Sequence, residues 1–330
     1  MKGNAYKAIL LAVVVFVCVF VPVRSLGREG VEGEFPVRTQ EYDTVLTLWN
    51  IDTFEGGKGS RTSFLSSAGK RFRKGTVVLA RSMTAFGAEE SLRNGELPDM
   101  VSFGGGCPFL LGVCQPLGLE APAYGGTVGD RTMAIPWCAG GYFLFTKTER
   151  KEPVGKLYVS FGENNFPLVA KSIGEIRAEQ TVTVRPTDGC RTFLSSDGNA
   201  VFLGTQRDVF RLEKNGASFL AEPLEEFSDL FQYIAVCAED SFRRALCEEF
   251  VKFLLSEEIQ KGVVSLGMFP AEGNPYREGA LSLYDRSKTA YTVSPFLSEE
   301  NAAKYRDPTF FGQDGEITDA ERLKSGLKRL

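Results

Sequence analysis

The 330-residue sequence contains no histidine. That absence excludes Ser-His-Asp and Cys-His nucleophile systems, histidine-ligated metals and any imidazole switch near neutral pH. No CxxC pair occurs, so a thiolate zinc site has no spacing to support it. Positive charge is also scarce. Removing Lys2, Lys7 and Arg24 from the first 25 residues takes the formal net charge from −4 to −7. A chain of that charge does not hold a phosphate backbone by counter-ion release, which excludes nucleic acid as a partner. Only two tryptophans are present, Trp49 and Trp137, and no internal repeat is visible.

What is present suits a packed globular protein: 43% of residues are hydrophobic, and the length allows two domains or one large one. Lys2 and Lys7 precede the apolar run Ala8–Val23, which ends in Val23-Arg24-Ser25 with small residues at the −3 and −1 positions. That is the layout of a secretory signal peptide. The run is also near the lower limit for spanning a bilayer of ~30 Å, so an uncleaved anchor is the alternative. Either way the body lies outside the cytoplasm. Cys18 lacks the small residues that precede a lipidated cysteine. Six cysteines follow the segment: Cys107, Cys114, Cys138, Cys190, Cys237 and Cys247. An exported chain permits disulfides, and Cys107–Cys114 is the pair close enough in sequence to staple a loop. Five of the six sit in apolar runs, which favours free, buried thiols.

The stretch Asp130–Thr146 organises the rest. It reads as two apolar strands, Thr132–Trp137 and Gly141–Thr146, joined as a hairpin by a corner in which Gly140 and Gly141 can supply positive φ. Pro136 removes a ladder donor, so its strand is expected at an edge or at a crossing point between two sheets, not in mid-sheet with both neighbours paired. The place is read as a passage between two lobes, with a cleft beside it. Before it, Thr44–Trp49, Thr76–Ala80 and Pro98–Phe103 are strands alternating with helices over about Ser60–Arg73 and Phe86–Asn94, the pattern of a parallel doubly wound sheet. After it, Lys156–Ser160, Thr181–Arg185 and Ala200–Leu203 are strand-like, with an apolar helix over Asn165–Ile176. Gln232–Cys237 is a second crossing. Asp240 is the N-cap of a helix carrying Phe242, Leu246 and Phe250 on one face. Ser256 opens a short helix that Gly262 ends, and the tail is helical at Ser298–Lys304 and Thr318–Lys328. The expected organisation is a signal peptide or anchor (1–25), a tether (26–41), a discontinuous first lobe (42–144 with 231–330) and a small second lobe (145–230).

Ligands of such sheets sit beyond the carboxyl ends of the strands, here the loops after Trp49, Ala80 and Phe103. Gly56-Gly57-Lys58-Gly59-Ser60 lacks the Lys-Ser/Thr step of a phosphate loop and reads as a tight strand-to-helix turn. Gly104–Gly106 brings backbone close to a ligand or turns the chain. Asp52, Glu55, Glu89 and Asp99 are the carboxylates from which a glycosidase pair would be drawn. Phe54, Phe103, Trp137, Tyr142 and Tyr233 fall near the cleft, where an aromatic face can stack on a sugar, although core packing is the commoner fate of each. Gln206 and Arg207 either face the cleft from the opposite wall or, with Asp208, form a solvated local pair.

Several segments together resemble extracellular solute-binding proteins of bacterial ABC importers, in particular the sugar-binding, maltose-binding-protein-like branch. They are the signal segment, LTLWNIDTFEGGKGSR, the Gly95–Met100 run, AIPWCAGGYFLF and FVKFLLSEEIQKGVVSLGMFPA, and the resemblance covers about residues 42–275. It implies an α/β, two-lobed periplasmic-binding-protein type II fold, each lobe a sheet flanked by helices, joined by crossing hinge strands. It implies capture of a small polar solute, with sugar favoured, by a monomer that delivers it to an ABC permease, without cofactor or chemistry. Carried onto this sequence, the ligand groups are Asp52, Phe54, Glu55, Ser82, Met83, Thr84, Phe103, Gly104 and Gly105 from the first lobe, Trp137 at the hinge, and Gln206 and Arg207 from the second. A receptor feeding a membrane sensor and an exported glycoside hydrolase are the competing functions.

Overall fold

The computed structural model describes residues 42–119, 124–149, 156–159, 181–298 and 327–329. The expected signal segment, the tether and the helix over Asn165–Ile176 lie outside them, as does most of the tail expected to be helical. Leu327 and Lys328, at the end of that tail, are in a strand.

In chain order the elements are β1 (Thr44–Ile51), α1 (Arg61–Arg71), β2 (Thr76–Met83), α2 (Ala85–Arg93), β3 (Met100–Phe103), β4 (Thr127–Val128), β5 (Arg131–Thr132), β6 (Ile135–Ala139), β7 (Tyr142–Thr146), β8 (Leu157–Val159), β9 (Thr181–Thr183), α3 (Pro186–Ser195), β10 (Val201–Thr205), α4 (Gln206–Lys214), β11 (Leu220–Leu224), β12 (Phe231–Val236), α5 (Ser241–Leu254), α6 (Glu257–Gln260), β13 (Phe269–Pro270), β14 (Tyr291–Val293) and β15 (Leu327–Arg329). Helix starts follow local chemistry. Ser60, Thr84 and Asp240 are N-caps whose side chains accept the backbone N–H of Ser63, Gly87 and Arg243. The helix opened by Ser256 does not stop at Gly262. It continues as a 3-10 turn over Lys261–Leu266 and ends at Gly267, which takes φ 67°.

Two sheets form. The first has the order β13-β6-β12-β3-β1-β2, with β2, β1 and β3 parallel and β12 antiparallel to β3. The second has the order β11-β7-β10-β8-β9. Strands β6 and β7 therefore make no hairpin: β6 pairs with β12 and β13, β7 with β10 and β11. Neither Gly140 nor Gly141 is among the positive-φ glycines, so the corner lacks the backbone a two-residue hairpin turn needs. Their missing Cβ atoms serve close approach instead. A Cβ on Gly140 would sit 2.7 Å from Gln206 Oε1, and one on Gly141 2.7 Å from the Tyr284 ring. Contrary to the expectation of an edge, β6 lies between β13 and β12, and Pro136 is tolerated there because β13 pairs with β6 only at Cys138 and Ala139, while β12 shifts register between Gln232 and Tyr233 where it meets Pro136.

The chain passes between the sheets more often than the sequence suggested. It goes over at Gly140-Gly141 and returns between Leu224 and Phe231, so β12 lies wholly in the first sheet. After β13, Tyr276, Leu281 and Tyr284, inside the stretch 231–330 read as first-lobe, pack with the second sheet's aromatic core around Phe143, Phe145 and Phe202. Phe296 is back in the first sheet's core against Phe103.

The six cysteines among the described residues are free and buried. Burial pushes the Cys107, Cys138 and Cys247 thiols up to about 12. A hydrogen bond with Cys114, followed by burial, raises Cys237 well above its ordinary value. The Gln115–Val236 bridge puts Cys114 opposite Cys237, so Cys114 faces Cys237 as well as Cys107. Thiol labelling of the folded protein is therefore expected to be slow, with six thiols counted after denaturation without reductant in material cut after the leader. A count of four would mean a disulfide has formed, and Cys114–Cys237 would be mapped first.

Candidate functional site: the switch point of the first sheet

Helix α1 packs one face of the first sheet through Leu65 and Ala68 against Leu46 and Leu48, while α2 packs the other through Ala88 against Trp49 and Ile51. Because β1 lies between β2 and β3, the loops leaving β1 and β3 diverge at their carboxyl ends and open a crevice between them. A buried polar network floors that crevice. Gln232, a lone polar residue in the apolar strand β12, donates from Nε2 to Asn50 Oδ1 (3.2 Å), Ile51 O (3.2 Å) and Ser102 Oγ (3.0 Å). Its Oε1 accepts from Arg61 Nη1 at 3.1 Å. Arg61 is only 3% exposed. It pairs with Asp52 (Nε–Oδ1 2.7 Å), donates to Phe54 O at 2.6 Å and lies 4.4 Å from the centre of the Phe54 ring. Asn50 Nδ2 donates to Asp52 Oδ1 and Thr62 Oγ1.

The opposite wall is the start of α4, fixed by a capping box. Thr205 caps the helix, and Asp208 Oδ2 accepts the Thr205 N–H at 3.0 Å. Asp208 is buried, not solvated, and burial raises its pKa despite the hydrogen bonds from Thr205 and Arg211 that oppose the shift. Arg211 bridges Asp208 (Nη1–Oδ1 3.0 Å) to Glu55 in the loop after β1 (Nη2–Oε1 3.0 Å). Arg207 reaches the other oxygen of Glu55 at 3.9 Å. Beside them Lys58 Nζ lies 5.0 Å from the centre of the Phe210 ring. The loop after β1 holds this position because Gly57 is pressed against the Leu266 and Gly267 carbonyls, where any Cβ would collide, and Lys58 N–H donates to Leu266 O at 2.7 Å.

The structure thus brings Asp52, Phe54 and Glu55 together with Arg207, and separates the other expected residues. Trp137 is fully buried, stacked on Phe64 (5.6 Å, 10°) with its indole N–H donated to Ser102 Oγ at 3.0 Å, so it has no face for a ligand. Phe103 is likewise core, against Tyr233 and Phe296. Gly104 is buried where its Cα approaches Thr53 and Phe54, and Gly105 has open space around it. Ser82 and Met83 stand level with Asn50 and Ile51 but on the sheet's edge strand, and Thr84 is spent capping α2. Gln206 is buried at the hinge, its Oε1 accepting the Gly141 N–H at 2.9 Å. Arg61, Gln232, Arg211 and Lys58 were not foreseen. A single polar residue in an apolar strand, as at Gln232, was the available signal.

Two of the four carboxylates, Asp99 and Glu89, lie away from the crevice. Asp99 stands level with Thr47, whose N–H and hydroxyl it accepts, five strand positions and so about 16 Å from Asp52. Glu89 pairs with Arg93 on the surface of α2. Among the described residues no group of His, Cys, Asp or Glu could hold a metal ion, and no helix is long and apolar enough to cross a membrane.

No protein-family model matches the sequence, and none of the curated proteins does. Solved structures do share the fold. The sugar-binding protein MalE of Xanthomonas citri aligns with TM-score 0.59 at 13% identity over 86% of this chain and 95% of its own. Maltose-bound MalE3 of T. maritima aligns with TM-score 0.55 at 12% identity over 86% and 97%. The GacH receptor of Streptomyces glaucescens, solved unliganded and with acarbose, aligns with TM-score 0.53 at 13% identity over 87% and 97%. These neighbours are binding proteins. The chain has their two-lobed α/β fold, the type II periplasmic-binding-protein fold.

Proposed function

We propose that this protein captures a small polar solute, a carbohydrate, in the crevice between its two sheets and delivers it to an ABC permease without chemistry. The observation that carries this is the placement of the β1 loop, through Glu55, directly against Arg207 and Arg211 of α4 from the other sheet. Only a site with groups from both walls lets a ligand distinguish one lobe arrangement from another, because a ligand contacting one lobe alone shifts nothing. Capture occurs outside the cytoplasm, by a monomer whose N-terminal segment is a cleaved leader or an anchor. The first lobe is 42–140 with 231–330, apart from the 276–284 excursion, and the second is 141–230.

A thermal-shift screen of mono- and oligosaccharides, with small-angle scattering on any hit, tests this. Solute at 100 times its dissociation constant is expected to add about 2.7 kcal/mol of stability and to reduce the radius of gyration. A panel that leaves the melting temperature unmoved, or that is turned over to products, rejects the reading.

A further inference from the structure

The crevice is poorly equipped for a neutral sugar and well equipped for an acid. Neutral sugars are held by open aromatic faces. Here Trp137 and Phe103 are core, the Phe54 ring is covered by the Arg61 guanidinium, and the Phe210 ring by the Lys58 ammonium. Cations, by contrast, stand on both walls. Arg61 and Arg211 each hold a carboxylate in close hydrogen-bonded geometry. Among the described residues Lys58 does not, and the guanidinium of Arg207 has only the 3.9 Å approach of Glu55. Asp208 is buried and fixed in the capping box of α4, so Glu55 is the acidic group that reaches Arg207 and Arg211 from the other lobe. Glu55 is a third exposed, and an ion pair so wetted adds little stability.

We infer that the solute bears a carboxylate, which takes the place of Glu55 between Arg207 and Arg211, with Lys58 closing on it from the first lobe. This rests on the solute-capture reading above. The chemistry follows from donor geometry: a guanidinium offers a planar fork that matches a carboxylate bidentately, and two forks with an ammonium surround one anion on three sides. Glu55 holds the site in the meantime. Without it, Arg207 and Arg211 would face each other across i,i+4 of α4 with only Asp208 between them and solvent.

The test is isothermal titration of the full mature chain with three sets of probes: galacturonate and its di- and trimers, the non-sugar acids succinate and citrate, and the neutral sugars galactose, maltose and maltotriose. Acidic saccharides are expected to bind and to weaken as salt rises from 0.05 to 0.5 M, since partly exposed charge pairs are screened. Arg207→Gln is expected to weaken acid binding about tenfold or more, and Lys58→Gln several-fold, as charge-assisted hydrogen bonds are lost. Glu55→Gln is expected to strengthen it several-fold by removing the internal competitor. Melting temperatures of the three variants check that they fold. Binding confined to succinate or citrate keeps the carboxylate and moves its source outside the saccharides. Neutral sugars binding while acids do not, or Glu55→Gln weakening the acid, overturns this inference and leaves solute capture standing. If no probe of any set binds at millimolar concentration, solute capture fails with it.

Discussion

Asp99→Ala is expected to destabilise the protein by about 3 kcal/mol, the cost of removing a buried carboxylate from a half-buried guanidinium and a part-buried N–H that it pairs. Asp99 is 7% exposed and accepts four hydrogen bonds: Thr47 N–H (2.7 Å), Thr47 Oγ1–H (2.9 Å), Arg243 Nε (2.6 Å) and Arg243 Nη2 (2.7 Å). Those bonds join β1, the start of β3 and the first turn of α5, so one carboxylate ties together three elements of the first lobe. The value lies toward the low end because Arg243, 39% exposed, can turn to water once its partner is gone. Burial alone would raise the Asp99 pKa, but the bonds from Arg243 and Thr47 outweigh it and hold the carboxyl below its usual range. A depressed carboxyl contributes stability that is present above the unfolded-state value near 3.9 and is lost as pH falls through the folded value. Urea unfolding at pH 7 should therefore show the full loss in Asp99→Ala, and the gap to wild type should narrow below about pH 4. A loss under about 1 kcal/mol at pH 7 would mean that the three elements hold without this clamp.

The same residue shows what the sequence could and could not convey. Pro98-Asp99-Met100 announced a strand, and alternating strands and helices announced the parallel sheet, because periodicity and turn residues are local signals. Whether Asp99 faced a ligand or an arginine 144 positions away was not local, and it decided the residue's role. The hairpin expectation failed for a related reason. Two short apolar strands flanking glycines look alike whether the partners are each other or strands far along the chain, and β6 and β7 each found partners 55 or more residues on. At the candidate site, loop acids at the end of β1 were readable because that position is dictated by topology. Arg61 was hidden by its place in a helix start, where a basic residue is ordinarily solvated, and Arg211 by lying one turn beyond the polar cluster Thr205–Asp208. Gln206 and Arg207 were read as a pair facing one way, but consecutive helical residues point about 100° apart, and the structure sends one to the hinge and the other to the crevice.

Trp137 carries the second large expected effect, and it is one of stability, not of recognition. Its side chain is fully buried in the core formed with Leu65, Ile135, Phe250 and Met268, with Phe64 stacked on one face. Trp137→Ala should open a large cavity and cost about 3–5 kcal/mol, the range for deleting a buried aromatic. It would also remove one of the two hydrogen bonds that the Ser102 hydroxyl accepts, leaving the one from Gln232. Any loss of affinity in that variant would thus be confounded with collapse of the crevice floor. Trp137→Phe separates the two. It keeps most of the volume, gives up one buried hydrogen bond worth about 1 kcal/mol, and removes the indole a sugar would stack on. Affinity for whatever solute is found is expected to stay within about twofold of wild type in Trp137→Phe, under 0.5 kcal/mol, while the melting temperature falls modestly. Trp49, 6% exposed beneath Arg81, then remains as the sole tryptophan and reports unfolding. If Trp137→Phe instead loses tenfold or more in affinity with its melting temperature intact, the indole meets the ligand in some arrangement of the lobes other than this one, and the crevice extends under the hinge.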